Sequence, residues 1–127
     1  MSQNKHSVGG PVEPDFFDGM PRRIRVGSIW FDIKVVEADV MNQNGPLGIT
    51  DRHTCEIVIR RTGNNSQDFN TAVHEINHAI FWSQGLEAAE DEEPIVNRMS
   101  NGLLALLYDN PDYYSWFDWA VREVTQS

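Results

Sequence analysis

The spacing of apolar residues changes once along the chain, near residue 62, and this change limits the possible folds. The segment RIRVGSIWFDIKVV alternates apolar and polar residues on either side of Gly27-Ser28, and CEIVIRR alternates again. Such alternation is typical of half-buried strands. Beyond residue 62 the apolar residues recur at helical spacing. Strands followed by helices predict an α+β fold, with helices packed on a small antiparallel sheet of about three strands.

The end signals of the second half predict three helices. The first runs from Asp68 to about Gln84, and the second from Asp91 to about Tyr108. Asn110-Pro111 is a good start for a third helix, which runs toward Thr125. The third helix has an apolar stripe that we expect to be buried, formed by Phe117, Ala120, Val121 and Val124.

The 127 residues suit one small domain. Residues 1–20 are rich in Gly, Pro, Ser and Asn and predict a flexible N-terminal arm, so the domain is expected to span residues 21–127. Cys55 is the only cysteine, which excludes an intrachain disulfide framework. No apolar run approaches the roughly 20 residues of a membrane span, and no secretory signal is visible at the N-terminus. We therefore expect a cytoplasmic protein without a membrane partner.

The net charge of −9 is concentrated in the second half of the chain. Up to Arg61, eight Lys and Arg residues balance eight Asp and Glu residues, whereas beyond it two Arg residues face eleven acids. An acidic surface repels the phosphate backbone, so a nucleic-acid partner is not expected.

The first predicted helix contains the sequence HEINHAIFW, which begins at His74. Residues four apart lie side by side on a helix, so the imidazoles of His74 and His78 can converge on one tetrahedral metal ion. Glu75 is positioned to act as a base toward a metal-activated water. On a helical wheel the expected core stripe lies roughly opposite the two histidines and consists of Phe69, Val73, Ile76 and Ile80. The pattern predicts a zinc site.

A catalytic zinc usually needs a third protein ligand. In the pattern HExxHxxGxxH, Phe81 stands at the position of the glycine and Gln84 at that of the third histidine, so this pattern is excluded. The acidic run EAAEDEE at the start of the second helix offers carboxylates instead. The candidates are Glu90, Asp91, Glu92 and Glu93, although acids at a helix start also complement its dipole.

The segments GITDRHTCEIVIR, TAVHEINHAIFW and DEEPIVNRMSNGLLALLYDNP resemble the HExxH…Glu zinc metallopeptidases, the gluzincin type. The resemblance is to the neighbourhood of the ImmA/IrrE and SprT-like families, and within it to compact phage and prophage proteins. It implies a zincin-like fold, a host cytoplasmic location and one Zn²⁺ per chain. It also places the third ligand at Glu93, with Glu92 as the alternative. Asn77, which stands where glycine is common before the second histidine, departs from the pattern.

The resemblance implies hydrolysis of a peptide bond in a protein or peptide substrate. His74, His78 and Glu93 would hold the metal, and Glu75 would be the general base. Tyr108, Tyr113 and Asn110 are candidates for the donor to the oxyanion, with Tyr108 preferred, and Asp109 is a candidate partner for a ligand histidine. An extended substrate is expected to pair with the strand near residues 56–60.

Two other classes of function stay open. A zincin-like binding or regulatory protein would use zinc for stability, and its function would survive Glu75→Gln. A structural virion or assembly protein would hold no metal at all.

Overall fold

The computed structural model describes residues 16–37, 45–86 and 90–126, and its fold is α+β as predicted. Four strands form one sheet: β1 (Arg23–Val26), β2 (Ile29–Glu37), β3 (Gly48–Asp51) and β4 (Glu56–Arg61). Three helices follow: α1 (Asn65–Ser83), α2 (Glu92–Asp109) and α3 (Pro111–Gln126). Their bounds agree with the prediction to within about three residues, which is usual at helix ends. Within these ranges no helix combines the length and apolar character needed to cross a membrane.

The prediction of a three-stranded antiparallel sheet is wrong in two respects. The sheet has four strands in the order β1-β2-β4-β3, and β2 pairs with β4 in parallel. Strand β3 contains only four residues, GITD, too few for alternation to be recognised in the sequence. It forms because it pairs antiparallel with β4 across a turn at residues 52–55. Strand β4 is therefore interior, and β3 is at the edge of the sheet.

The core lies between the sheet and α1. Ile57 and Ile59 are fully buried, as their alternation predicted, and Phe31 and Ile33 of β2 join them. Phe17 also belongs to this core, so the packed domain begins before the predicted boundary at residue 21. Residues 1–15 of the predicted arm lie outside the described residues.

The predicted core stripe of α1 is displaced around the helix. Ala72 and Ala79 are the apolar residues of α1 buried against the sheet, and Ile76 packs beside them. Ile80 is exposed, and the ring of Phe69 contacts Tyr108 of α2 instead. Small side chains on the sheet side let the helix approach closely, whereas the larger apolar residues turn toward α2 and the outer surface.

Helix α2 packs antiparallel along α1. The Asn77 side chain donates a hydrogen bond to Ser100 Oγ at 2.8 Å, and Ser100 is completely buried. One residue further along α2, the exposed Asn101 accepts a hydrogen bond from Asn70 at 3.3 Å. The Asn77–Ser100 pair helps to set the register of the two helices, because a buried polar group left without its partner would cost about 1–3 kcal/mol. The register brings the first turn of α2 to the motif half of α1.

The expected burial of α3 is wrong. No residue of this helix is buried, and the predicted stripe residues Phe117, Val121 and Val124 are each about half exposed or more. The amphipathic pattern was present in the sequence, but the described residues of the chain supply no surface that covers it.

Candidate metal centre

Helix α1 begins with a clear cap and brings the motif to the sheet edge. The Asn64 side chain accepts a hydrogen bond from the Gln67 amide at 3.0 Å, which satisfies one of the unpaired donors at the helix start. Asp68, 1% exposed, accepts from the Thr62 amide and hydroxyl and ties the helix start to the end of β4. The motif residues lie two to three turns further along α1, where β3 runs beside the helix.

The two motif histidines converge, as predicted. His74 Nε2 and His78 Nε2 lie 3.2 Å apart. Two ligands of one tetrahedral zinc ion, each about 2.0–2.1 Å from it, are separated by roughly 3.3 Å. Both rings are largely sheltered from solvent, since their side chains are 14% and 13% exposed.

Glu93 completes a group of three possible ligands. Its Oε1 lies 2.8 Å from His78 Nε2, and its Oε2 lies 3.0 Å from His74 Nε2. Within the described residues, His74, His78 and Glu93 form a group whose possible ligand atoms all lie within 4.8 Å of one another, close enough to hold one metal ion. Two histidines and one glutamate form a ligand set that zinc hydrolases use, and it leaves one coordination position open.

Glu92 has a different role from the one considered in the sequence. It is buried, and its Oε2 accepts a hydrogen bond from His78 Nδ1 at 2.7 Å. Its Oε1 accepts from Trp82 Nε1 at 3.2 Å. Because an ionised carboxylate can only accept, the proton of this bond belongs to His78 Nδ1, and Nε2 of the neutral ring then presents its lone pair.

The donor chemistry of this group fits a cation. In the tautomer that carries its proton on Nδ1, His78 Nε2 directs a lone pair toward a Glu93 carboxylate oxygen at 2.8 Å and the second imidazole at 3.2 Å. Electron-rich atoms this close together need a metal ion or an additional proton between them. The same arrangement, in which a carboxylate holds the far nitrogen of a ligand histidine, is common around protein-bound zinc.

Glu75 is buried next to the histidines, beside the sheet edge. Its carboxylate Oε1 accepts a hydrogen bond from the Thr50 hydroxyl at 2.6 Å, and the same hydroxyl lies 2.9 Å from the Glu75 backbone oxygen. Gly48 of β3 passes so close that a Cβ there would lie 2.7 Å from Glu75 Cγ. Thr50 and Gly48 therefore hold the side chain of Glu75 between helix and strand.

Two shallow clefts open over these residues. One, of about 360 Å³, includes both histidines, Glu75, Glu92 and Glu93 in its lining. The other, of about 320 Å³, adds Asn70 and Thr71 beside His74. Pro46 and Gly48 border both clefts. The sheet edge thus forms one wall of the candidate metal centre.

The tyrosine predicted at the site lies elsewhere. Tyr108 is exposed, and its ring contacts Phe69 of α1. It follows Glu93 by 15 residues and therefore lies roughly 22 Å from it along α2. Tyr113 stacks on Phe117 within α3, and Asn110 donates to the Leu106 carbonyl at the end of α2. Asp109 is exposed at that same end, whereas Glu92 is the carboxylate on His78. None of these four residues is brought to the histidines.

The sequence did not predict two contacts of this centre: the hydrogen bond from Thr50 to Glu75, and the hydrogen bond between Glu92 and His78 Nδ1. The adjacent acids Glu92 and Glu93 were a usable signal, because neighbouring helical residues point about 100° apart and cannot both bind one ion from the same side. Thr50 belongs to the unrecognised strand β3 and left no comparable signal.

No protein-family model matches this chain, and comparisons with curated proteins and with solved structures gave no significant match either. The function must therefore be inferred from the geometry of the candidate metal centre.

Proposed function

We propose that this protein is a zinc-dependent peptidase of the HExxH…Glu type, active in the cytoplasm. The observation that supports it best is the convergence of His74, His78 and Glu93 within 3.2 Å of one another, with the buried carboxylate of Glu75 alongside. A zinc ion held there supplies Lewis acidity that activates a water molecule and polarises the scissile carbonyl.

The chain's own residues supply the remaining steps. Glu75 takes a proton from the attacking water and later delivers it to the leaving amine. Thr50 keeps the Glu75 carboxylate facing the cleft through its 2.6 Å hydrogen bond. Glu92 orients the imidazole of His78, and Trp82 in turn orients Glu92. Asn70, which lines the cleft beside His74, is a better placed donor to the oxyanion than Tyr108.

The substrate we propose is an extended peptide that pairs with β3. The sequence indicated strand β4, near residues 56–60, but β4 pairs with β2 on one side and β3 on the other. Among the described strands, β3 has an unpaired edge, and it lies beside Glu75 and the histidines. Backbone pairing of this kind gives affinity with little dependence on side chains.

The decisive experiment compares zinc-loaded wild-type protein with Glu75→Gln on a library of unfolded peptides, with cleavage products read by mass spectrometry. We expect cleavage by the wild type and a loss of about 10²- to 10⁴-fold in Glu75→Gln, as for removal of a general base. Both proteins should hold the same amount of zinc. Equal cleavage by both would contradict the assignment of Glu75.

A binding or regulatory protein that holds zinc for stability is the second candidate. It is favoured by the position of Tyr108, since the tyrosine that the family resemblance suggested as oxyanion donor contacts Phe69, far from the histidines. Under this alternative neither protein cleaves any peptide, zinc raises the unfolding temperature, and Glu75→Gln leaves the biological function intact.

A further inference from the structure

Helix α3 contacts α2, but its packing against the rest of the described chain is too limited to account for its stability. It spans 16 residues and contains no buried side chain. A helix of this length is marginal in water when nothing packs against it. The surface that stabilises α3 is therefore expected outside the described residues of a single chain.

One side of α3 is apolar along its whole length. Tyr113, Phe117, Val121 and Val124 recur at helical spacing and form what we call the α3 stripe. All four are exposed, Val124 by 73%. The rings of Tyr113 and Phe117 stack on each other with centroids 6.3 Å apart, so the stripe presents a continuous aromatic surface at its start.

Helix α2 has a second exposed apolar surface, distinct from the one that packs on α1. Ile95, Met99, Leu103 and Leu106 follow one another at intervals of four, four and three residues, and we call them the α2 outer stripe. Ile95 and Met99 also line an apolar cleft of about 480 Å³ between α1 and α2. On the α2 wheel Ile95 lies roughly 160° from Glu93, so this cleft opens away from the candidate metal centre.

The exposed area of the two stripes is sufficient for a stable dimer. From the exposed fractions of their side chains, they present on the order of 800 Å² per chain. The largest apolar patch on a typical monomer is about 300–600 Å², so each stripe alone lies within that range and the two exceed it only together. A standard protein interface buries about 800 Å² on each partner.

The charge distribution fits a second copy of this chain. Two molecules with a net charge of −9 repel each other wherever their acids meet. Residues 94–108 contain a single charged residue, Arg98, and residues 113–117 contain none. Residues 87–93, just before the α2 outer stripe, contain five acids. The α2 outer stripe and the start of the α3 stripe thus lie in segments without carboxylates, where two copies can approach, whereas residues 118–124, which hold Val121 and Val124, also contain Asp118 and Glu123.

We propose that the chain forms a symmetric homodimer in which the α3 stripe of each copy covers the α2 outer stripe of the other. The contact is isologous, so each copy contributes and receives one helix. It leaves the candidate metal centre accessible, because that centre lies on the other side of α2. The proposal does not depend on the proposed peptidase function.

Sedimentation velocity over a dilution series of the full chain tests this interface. We expect a species of twice 14.5 kDa that dissociates on dilution. Phe117→Glu and Met99→Glu should each weaken the dimer by 100-fold or more. Trp119→Glu is the matched control, because Trp119 is equally exposed but lies on the other side of α3, and it should leave the dimer unchanged.

Hydrogen exchange of the α3 amides provides a second measurement. Protection of residues 111–126 should rise with protein concentration in the wild type and stay low in Phe117→Glu. A chain that sediments at 14.5 kDa at every concentration overturns the proposal, as does a dimer insensitive to both stripe variants. Strong protection of α3 in the monomer also overturns it, because α3 would then be covered within its own chain.

Discussion

The candidate metal centre and helix α3 break the usual rule of burial in opposite directions. At the metal centre two carboxylates, Glu75 and Glu92, are only 6% and 7% exposed. In α3, aromatic side chains such as Trp116 and Phe117 are more than 50% exposed. A buried charge and a large exposed apolar surface are the two informative departures in a folded protein. The first has its partners inside the chain, and for the second we propose a partner outside it.

The largest difference between the two regions should appear in the free energy of unfolding. Ile57→Ala removes a fully buried side chain from the core, and we expect a loss of about 2–5 kcal/mol. Val121→Ala in α3, measured at high dilution, should change it by no more than about 0.5 kcal/mol. Urea unfolding of both variants checks this. A large loss for Val121→Ala in the monomer would mean that α3 packs on its own chain.

A methyl group at the sheet edge should disturb the metal centre. In Gly48→Ala the new Cβ would lie 2.7 Å from Glu75 Cγ and 2.8 Å from Thr71 Cγ2, so Glu75 has to move. We expect a loss of about 1–3 kcal/mol in the free energy of unfolding. Gly102→Ala is the control, because nothing lies within 4 Å of that position in α2. It should stabilise the protein by about 0.5–1 kcal/mol, as alanine does within a helix.

Removal of the charge behind His78 should weaken zinc binding without abolishing it. Glu92→Gln keeps the shape of the side chain but loses the carboxylate that holds His78 Nδ1. We expect zinc affinity to fall about 10- to 100-fold, measured by competition with a chromophoric chelator. Glu90→Gln, an exposed acid near the same helix start, should bind zinc like the wild type. An unchanged affinity in Glu92→Gln would rule out this orienting role.

The smallest effect is expected at the turn between β3 and β4. The backbone amides of His53 and Thr54 donate to the Asp51 carboxylate and hold its pKa below the ordinary value of 3.8. A lowered pKa in the folded state means that the stabilisation is present above pH 3.8 and is lost as the pH falls through the folded-state pKa. The stability difference between wild type and Asp51→Asn should therefore shrink at acidic pH, as thermal unfolding at several pH values can test.

The sequence was most informative where residue spacing alone determines geometry. Alternation in CEIVIRR predicted the burial of Ile57 and Ile59, and the spacing of His74 and His78 predicted their convergence. The side chain of Glu93 lies where a third ligand would be, and its binding of a metal ion stays a prediction.

What the sequence could not predict depends on contacts between distant segments. The short strand β3 exists because it pairs with β4, and the parallel pairing of β2 with β4 has no local signal. The apolar stripe of α3 predicted burial within the chain, and this prediction is wrong because the described residues leave the stripe exposed. The separation of Tyr108 from the histidines was predictable, because 15 helical residues place it roughly 22 Å from Glu93 along α2.

Metal content tests the central claim most directly. Protein purified without chelators or a histidine tag would be compared with His74→Ala by elemental analysis, before and after zinc is added back. The proposed centre predicts about one zinc per chain in the wild type and its loss in His74→Ala, with both proteins folded. No zinc in either protein after zinc is added back would contradict it. In that case a proton, and not a metal ion, would lie between His78 and Glu93.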